Sequence, residues 1–213
     1  MNPGPWNNLF GVVFPDNPIG AGFGIASTTD EIPKDEKTVA KHFFVALTAL
    51  IKLNPSFKSR PIYINGESYA GKYVPAIGYT CVAAYYSGLI NTRQMLELEN
   101  VQSETVNLIE KGKWSEATDV CRRVLHMLQN MTGLATLYDF RRKMPYGTKL
   151  VQKVLNIEEV QKVLSIQKSK LWKGCSGVVN SALRGDVMKS VKFMVEELVK
   201  HTRVLLYQGK NLI

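Results

Sequence analysis

The sequence predicts an α/β protein, and three observations carry that expectation. Short β-branched and aromatic runs recur at 10–14, 61–65 and 203–207; apolar residues at helical spacing fill the stretches between them; glycine and proline punctuate the junctions. A chain of 213 residues can bury one sizeable core, or one core with a small appended layer, so two independent domains are not expected.

In chain order, Phe10 to Phe14 reads as a buried strand that ends in Pro15-Asp16-Asn17-Pro18 and a glycine-rich loop through Gly24. A helix follows from about Lys37, with Val39, Phe43, Leu47, Leu50 and Ile51 on one face, and Asn54-Pro55 stops it. Pro61 to Asn65 reads as a second strand, and a glycine-containing turn launches another helix near Tyr69. Residues 92 to 131 read as a helical hairpin. Leu98, Val101, Leu108 and Ile109 form one stripe, and Ala117, Val120, Cys121, Val124, Leu125 and Leu128 form the other. Gly112 offers a left-handed stop between them and Ser115 an N-cap. Two further helices are expected, Ile157 to Leu164 and one from Asp186 with Val187, Val191, Met194, Val195 and Leu198 inward, before a last strand from Arg203 to Tyr207. The helical insertion is placed as a lid over the working edge of a sheet.

Composition excludes several classes. The 45% hydrophobic and 21% charged residues are those of an ordinary globular chain. The net charge of +9 is spread along helical stretches without aromatic-interleaved clusters, so it reads as a solvated basic surface with no nucleic-acid partner. The longest apolar run, Phe43 to Ile51, is too short to span a bilayer, and no membrane partner is expected. The first fifteen residues lack the basic-then-apolar profile of a secretory signal. Cys81, Cys121 and Cys175 lie far apart without metal-like spacing, which leaves either one disulfide plus a free thiol or three buried thiols, and no metal site. Asn130-Met131-Thr132 is a glycosylation candidate at Asn130 if the chain is secreted.

The chemistry concentrates in Ile64-Asn65-Gly66-Glu67-Ser68-Tyr69-Ala70-Gly71-Lys72-Tyr73. Read as a P-loop, the segment carries Tyr73 where a hydroxyl must ligate magnesium, and Glu67 would set a carboxylate beside the phosphates. Both repel the ligand. Read as a nucleophile elbow, it places small residues, Gly66 and Ala70, two before and two after Ser68, as a tight strand-to-helix turn requires. Ser68 then stands at a helix N-terminus, where the Tyr69 N–H and the helix dipole stabilise an oxyanion.

The segment 65–75 resembles the active-serine segment of the serine carboxypeptidase family, most closely its plant carboxypeptidase-like members. Phe10 to Ser27 resembles that family's strand and its Asp-Gln/Asn-Pro-x-Gly-x-Gly-Phe loop, and the stretches around Tyr85–Ile90, 114–140 and 187–209 are similar to its helical cap and its return to the sheet. The resemblance implies an α/β-hydrolase with a helical cap that removes single residues from peptide C-termini, needs no cofactor, acts best in acid, and resides in a vacuole, a lysosome or a secreted space. It divides the chain into core with elbow (1–85), cap (86–150) and return to the core (151–213). It also implies Ser68 as nucleophile, Tyr69 as oxyanion N–H donor, and Glu67 as a protonated acid on the substrate carboxylate. Glu67 can equally be a solvated acid at a strand end. Asn65 beside it is a turn residue by position and a candidate substrate contact, as Tyr73 is a packing residue.

Against the family pattern the fold is expected to be incomplete: N-terminal strands with an oxyanion loop, one core strand after Tyr79-Thr80, and the C-terminal Asp and His region are not matched, with Leu212 where the aspartate would stand. His42, His126, His201, Asp119, Asp139 and Asp186 sit in helical or capping positions without motif support as substitutes. Three functions are expected in turn: a serine carboxypeptidase of little or no activity, an acyltransferase using glucose esters, or a non-catalytic truncated isoform.

Overall fold

The computed structural model describes residues 4–66, 88–139, 141–166 and 171–206. Among them are seven α-helices: α1 (Glu36–Leu53), α2 (Thr92–Glu110), α3 (Trp114–Thr132), α4 (Lys149–Leu155), α5 (Glu158–Val163), α6 (Gly177–Leu183) and α7 (Lys192–His201), with short 3-10 turns at Trp6–Asn8, Thr29–Glu31 and Pro55–Ser59. The chain divides into two compact units, Met1–Pro55 with Lys149–Ser181, and Ser56–Thr148 with Ala182–Ile213.

In the first unit α1 starts where Asp35 caps it, its carboxylate accepting the Thr38 N–H at 2.9 Å. The helix ends at Asn54, before Pro55, as the proline requires. Val39 is buried, and Phe43, Leu47, Leu50 and Ile51 are half-buried along the expected face. The loop from Asp16 to Gly24 is tightly built. Asp16 Oδ2 accepts the Phe23 N–H at 2.9 Å, and Gly22, at φ +50°, lies so close that a Cβ there would stand 2.2 Å from Asp16 Oδ1. Only glycine fits that position. Elsewhere in this unit Asn156 acts as a clamp: its amide donates to the carbonyls of Gln152 and Trp172, and its carbonyl accepts the Trp172 N–H at 2.7 Å.

The second unit is organised around the α2–α3 hairpin. A reciprocal capping box opens α2, with Asn91 and Gln94 each accepting the other's backbone N–H at 2.9 Å. Its end is a Schellman turn: Gly112 sits at φ +70°, its N–H donates to Ile109 O, and the Lys113 N–H donates to Leu108 O. α3 ends likewise on Gly133 at φ +65°. Between the helices Leu98, Ala117, Cys121, Val124 and Leu128 form a core closed by Ile90, Val187 and Met188. Thr118 Oγ1 shares its proton between Trp114 O at 3.0 Å and Arg184 O at 2.9 Å, and Arg184 grips Asp119 through a bidentate ion pair. Arg123 on α3 pairs with Glu104 on α2.

Several expectations are corrected. No strand occurs among the described residues: Phe10 to Phe14, Pro61 to Asn65 and Arg203 to Leu206 carry no ladder, and Phe14, Tyr63 and Leu205 stand 88%, 84% and 82% exposed. A strand exists only as a pairing, and none of the three finds a partner edge among the described residues. Ser115 is not an N-cap. α3 begins one residue earlier, at Trp114, its N-cap position Lys113 makes no side-chain capping bond, and a Cβ on Gly185 would approach Ser115 Oγ to 3.3 Å. The expected helix from Ile157 to Leu164 is α5 with Ile157 as N-cap and Leu164 as C-cap. The helix expected from Asp186 starts at Lys192, because residues 184–188 turn to deliver Val187 and Met188 into the hairpin core, and Leu198 faces solvent. Helices α4 and α6 lacked long apolar periodicity and were not anticipated. The helix expected near Tyr69 falls outside the described residues.

Leu98 is 0% exposed at the centre of the hairpin. Replacing it by alanine should lower the stability of the second unit by about 2–5 kcal/mol, measured as the shift of the thermal unfolding transition followed by helical circular dichroism.

Candidate active site

The polypeptide approaches the expected site through Pro61 to Gly66, a stretch without regular structure whose six residues are all exposed. Asn65 lies here, exposed. Glu67, Ser68 and Tyr69 fall outside the described residues, as do Ala70 and Tyr73, so the elbow's geometry is not among the structural observations.

Several groups that could serve a serine as base or acid are engaged elsewhere. His201 meets Glu197 at 3.0 Å one turn back on α7, and Lys200 meets the same carboxylate at 2.7 Å. These two hydrogen bonds, with Lys200 first, hold the Glu197 carboxyl below its ordinary range. His126 is exposed on α3, and His42 on α1 has Nδ1 buried without a hydrogen-bond partner among the described residues. Asp119 is committed to Arg184, and Asp139 to Arg141, whose hydrogen bond holds the Asp139 carboxyl low. Asp186, almost wholly buried, pairs with Lys189 at 3.3 Å. No histidine–aspartate pair stands among the described residues.

Among the described residues no cluster of His, Cys, Asp or Glu could hold a metal ion, and no helix is long and apolar enough to cross a membrane. Asn130 is exposed near the C-terminal end of α3. One contact escaped the sequence reading: Arg142 lies over the Tyr146 ring at 4.1 Å. The run Arg141-Arg142-Lys143 between two tyrosines was the available signal.

Comparison with known proteins decides the lineage. The serine carboxypeptidase family model matches residues 1–96 and 80–211. The chain belongs to the serine carboxypeptidase family. Serine carboxypeptidase-like 50 of Arabidopsis thaliana is 46% identical over 239 aligned positions, covering 98% of this chain and 54% of that protein. The probable serine carboxypeptidase CPVL of Homo sapiens is 27% identical over 97% of the chain and 52% of its own length, and the venom serine carboxypeptidase of Apis mellifera is 24% identical over 96% and 53%. No solved structure matches. This family member therefore spans about half the length of the curated relatives it matches, and its family carries the α/β-hydrolase fold.

Two of its cysteines are described, and both are free thiols: Cys121 is buried in the hairpin core and Cys175 is exposed. Burial pushes the Cys121 thiol from 9.0 up to about 11, the nearby Arg122 opposing the shift only partly. Because the folded pKa is the higher one, the fold gains nothing or loses nothing from this thiol below about 9, and stability falls as the pH climbs from there through about 11. In mildly alkaline buffer iodoacetamide should label Cys175 and spare Cys121 until denaturant is added, as read by peptide mass mapping. Equal labelling of both in the native protein would contradict the burial.

Proposed function

We propose that this chain carries the serine half of a serine carboxypeptidase site, with Ser68 as the nucleophile that forms an acyl-enzyme on the terminal peptide carbonyl, and that its 213 residues by themselves turn over little or no substrate. The observation that supports the lineage most directly is the family match running from residue 1 to residue 211, with the serine segment inside it. In this reading Ser68 Oγ attacks the carbonyl carbon, the Tyr69 N–H donates to the oxyanion, and Glu67, protonated in acid, donates to the substrate's free carboxylate, with Asn65 beside it. The leaving amino acid departs and water resolves the ester. Peptides are the substrate class, and the compartment is the acidic or secreted one implied by the family, where exposed Asn130 would be open to glycosylation.

Proton transfer is the weak point. Attack by a serine requires a base for its proton, and the three histidines of the chain lie on helices, with His201 held by Glu197. The match in two overlapping pieces, and an alignment longer than the chain, support the reading that a core segment after Tyr79-Thr80 has no counterpart here. The unpaired, exposed state of 61–66 supports the same reading, because an elbow is strained and needs a paired strand behind it. The helical hairpin within 86–150, whose core Val187 and Met188 complete, is in this reading the cap.

A fluorophosphonate probe and a blocked dipeptide in acidic buffer test this, each beside Ser68→Ala. The expected result is no Ser68 labelling and hydrolysis indistinguishable from the variant, since loss of triad partners costs on the order of 10⁴-fold or more. Turnover that Ser68→Ala abolishes would overturn the inactive reading. Transfer from a glucose ester in place of hydrolysis would replace the peptidase by an acyltransferase.

A further inference from the structure

We propose that Asn130 is an N-glycosylation site open only while α3 is unfolded, so that the sugar is joined to the nascent hairpin and not to the finished one; this rests on the secretory compartment inferred above. Asn130-Met131-Thr132 is the one acceptor triplet of the sequence, since Asn54-Pro55-Ser56 is barred by its proline. It does not stand in a surface loop, where such triplets are ordinarily modified, but in the last turn of α3, which runs from Trp114 to Thr132. Transfer joins the Asn130 carboxamide nitrogen to the anomeric carbon of a lipid diphosphate-linked oligosaccharide. The bond from that carbon to the phosphate oxygen breaks, the lipid diphosphate leaves, and the nitrogen gives up one proton.

The transferase reads the third-position hydroxyl together with the carboxamide, so both must face one side of a turn. In a helix, side chains two residues apart point about 200° away from each other. The Thr132 hydroxyl is also taken: Oγ1 donates to Leu128 O at 2.8 Å and Gln129 O at 3.2 Å, and accepts the Leu134 N–H at 3.4 Å. This end of the helix is tied down. Gly133 closes it at φ +65° with its N–H on Gln129 O at 3.0 Å, and the Gln129 side-chain amide donates to the carbonyls of Leu134 and Ala135, both at 3.4 Å. Leu128 before the triplet and Thr136 after it are buried, so opening the triplet pulls on the hairpin core and is not ordinary fraying. The finished helix has room for the sugar all the same. Asp119, Arg123, His126 and Asn130 follow one another along its exposed outer row, opposite Ala117, Cys121, Val124 and Leu128.

The full chain, translated behind a cleavable secretory signal in the presence of microsomes, tests the site. One endoglycosidase-sensitive step in gel mobility is expected, absent from Asn130→Gln and from Thr132→Ala. The timing is tested by adding microsomal transferase and its lipid-linked donor to the chain after it has folded without them. The folded chain should be modified on the order of tenfold or more slowly than a peptide spanning 126–136, and Leu98→Ala, which loosens the hairpin, should narrow that gap. Helical circular dichroism before the addition checks the folded state of each chain. Because the signal is supplied, neither result depends on the natural compartment or on Ser68. An unmodified nascent chain would overturn the site, and a folded chain modified as fast as the peptide would overturn the timing.

Discussion

The packing of α2 on α3 around Leu98 is the interaction on which the second unit depends. Two nineteen-residue helices, each closed by its own terminal chemistry, bury Leu98, Val124 and Leu128 almost completely against one another. Most of a helix's stability in a protein comes from the apolar face it packs, and these two share one. The segment 184–188 joins that core from far along the chain, fixed by Thr118 on the Arg184 carbonyl and by Asp119 on its guanidinium. Position and burial there are decided by contacts between neighbours in space that are close, or become close, with little cost in loop closure.

The site segment obeys a different physics. A serine at a nucleophile elbow is useful only when a paired strand presses it upward and a helix N-terminus receives it, so its competence depends on partners for Pro61 to Gly66 and not on that segment's own preference. The same β-rich sequence that would lie inside a sheet is, here, an exposed run of Ile62, Tyr63 and Ile64. The family to which the chain belongs and the local state of this stretch are therefore separate facts. Lineage follows from the residues; catalysis follows from the pairing.

That contrast also explains how much could be read from the sequence. The hairpin was legible because each of its signals is local: the two apolar stripes, Gly112 at the turn, the stop at Asn54-Pro55 for α1. Where the sequence misled, something distant competed. Ser115 offered a capping hydroxyl, yet the helix starts at Trp114, two residues sooner than that cap would set it, with Thr118 and Asp119 meeting Arg184. Asp186 read as a helix start, but the burial of Val187 and Met188 in the hairpin core bends the chain there and delays α7 to Lys192. The strands were legible as composition only, because nothing in Phe10 to Phe14 or Val204 to Leu206 names the edge it would need. Of the site, Ser68, Glu67 and Tyr69 could be singled out from small-residue spacing and family resemblance, whereas the contact of Arg142 with the Tyr146 ring could not, since it arises from groups meeting across a turn.

Amide hydrogen exchange, resolved by residue, measures this division directly. The account predicts strong protection through the centres of α2 and α3, with Leu98 and Val124 among the slowest amides, and exchange near unprotected rates for Ile62 to Asn65 and Val204 to Leu206. Protection of the Ile62 to Asn65 amides comparable to that of Leu98 would show a paired strand behind the serine, and would contradict the account.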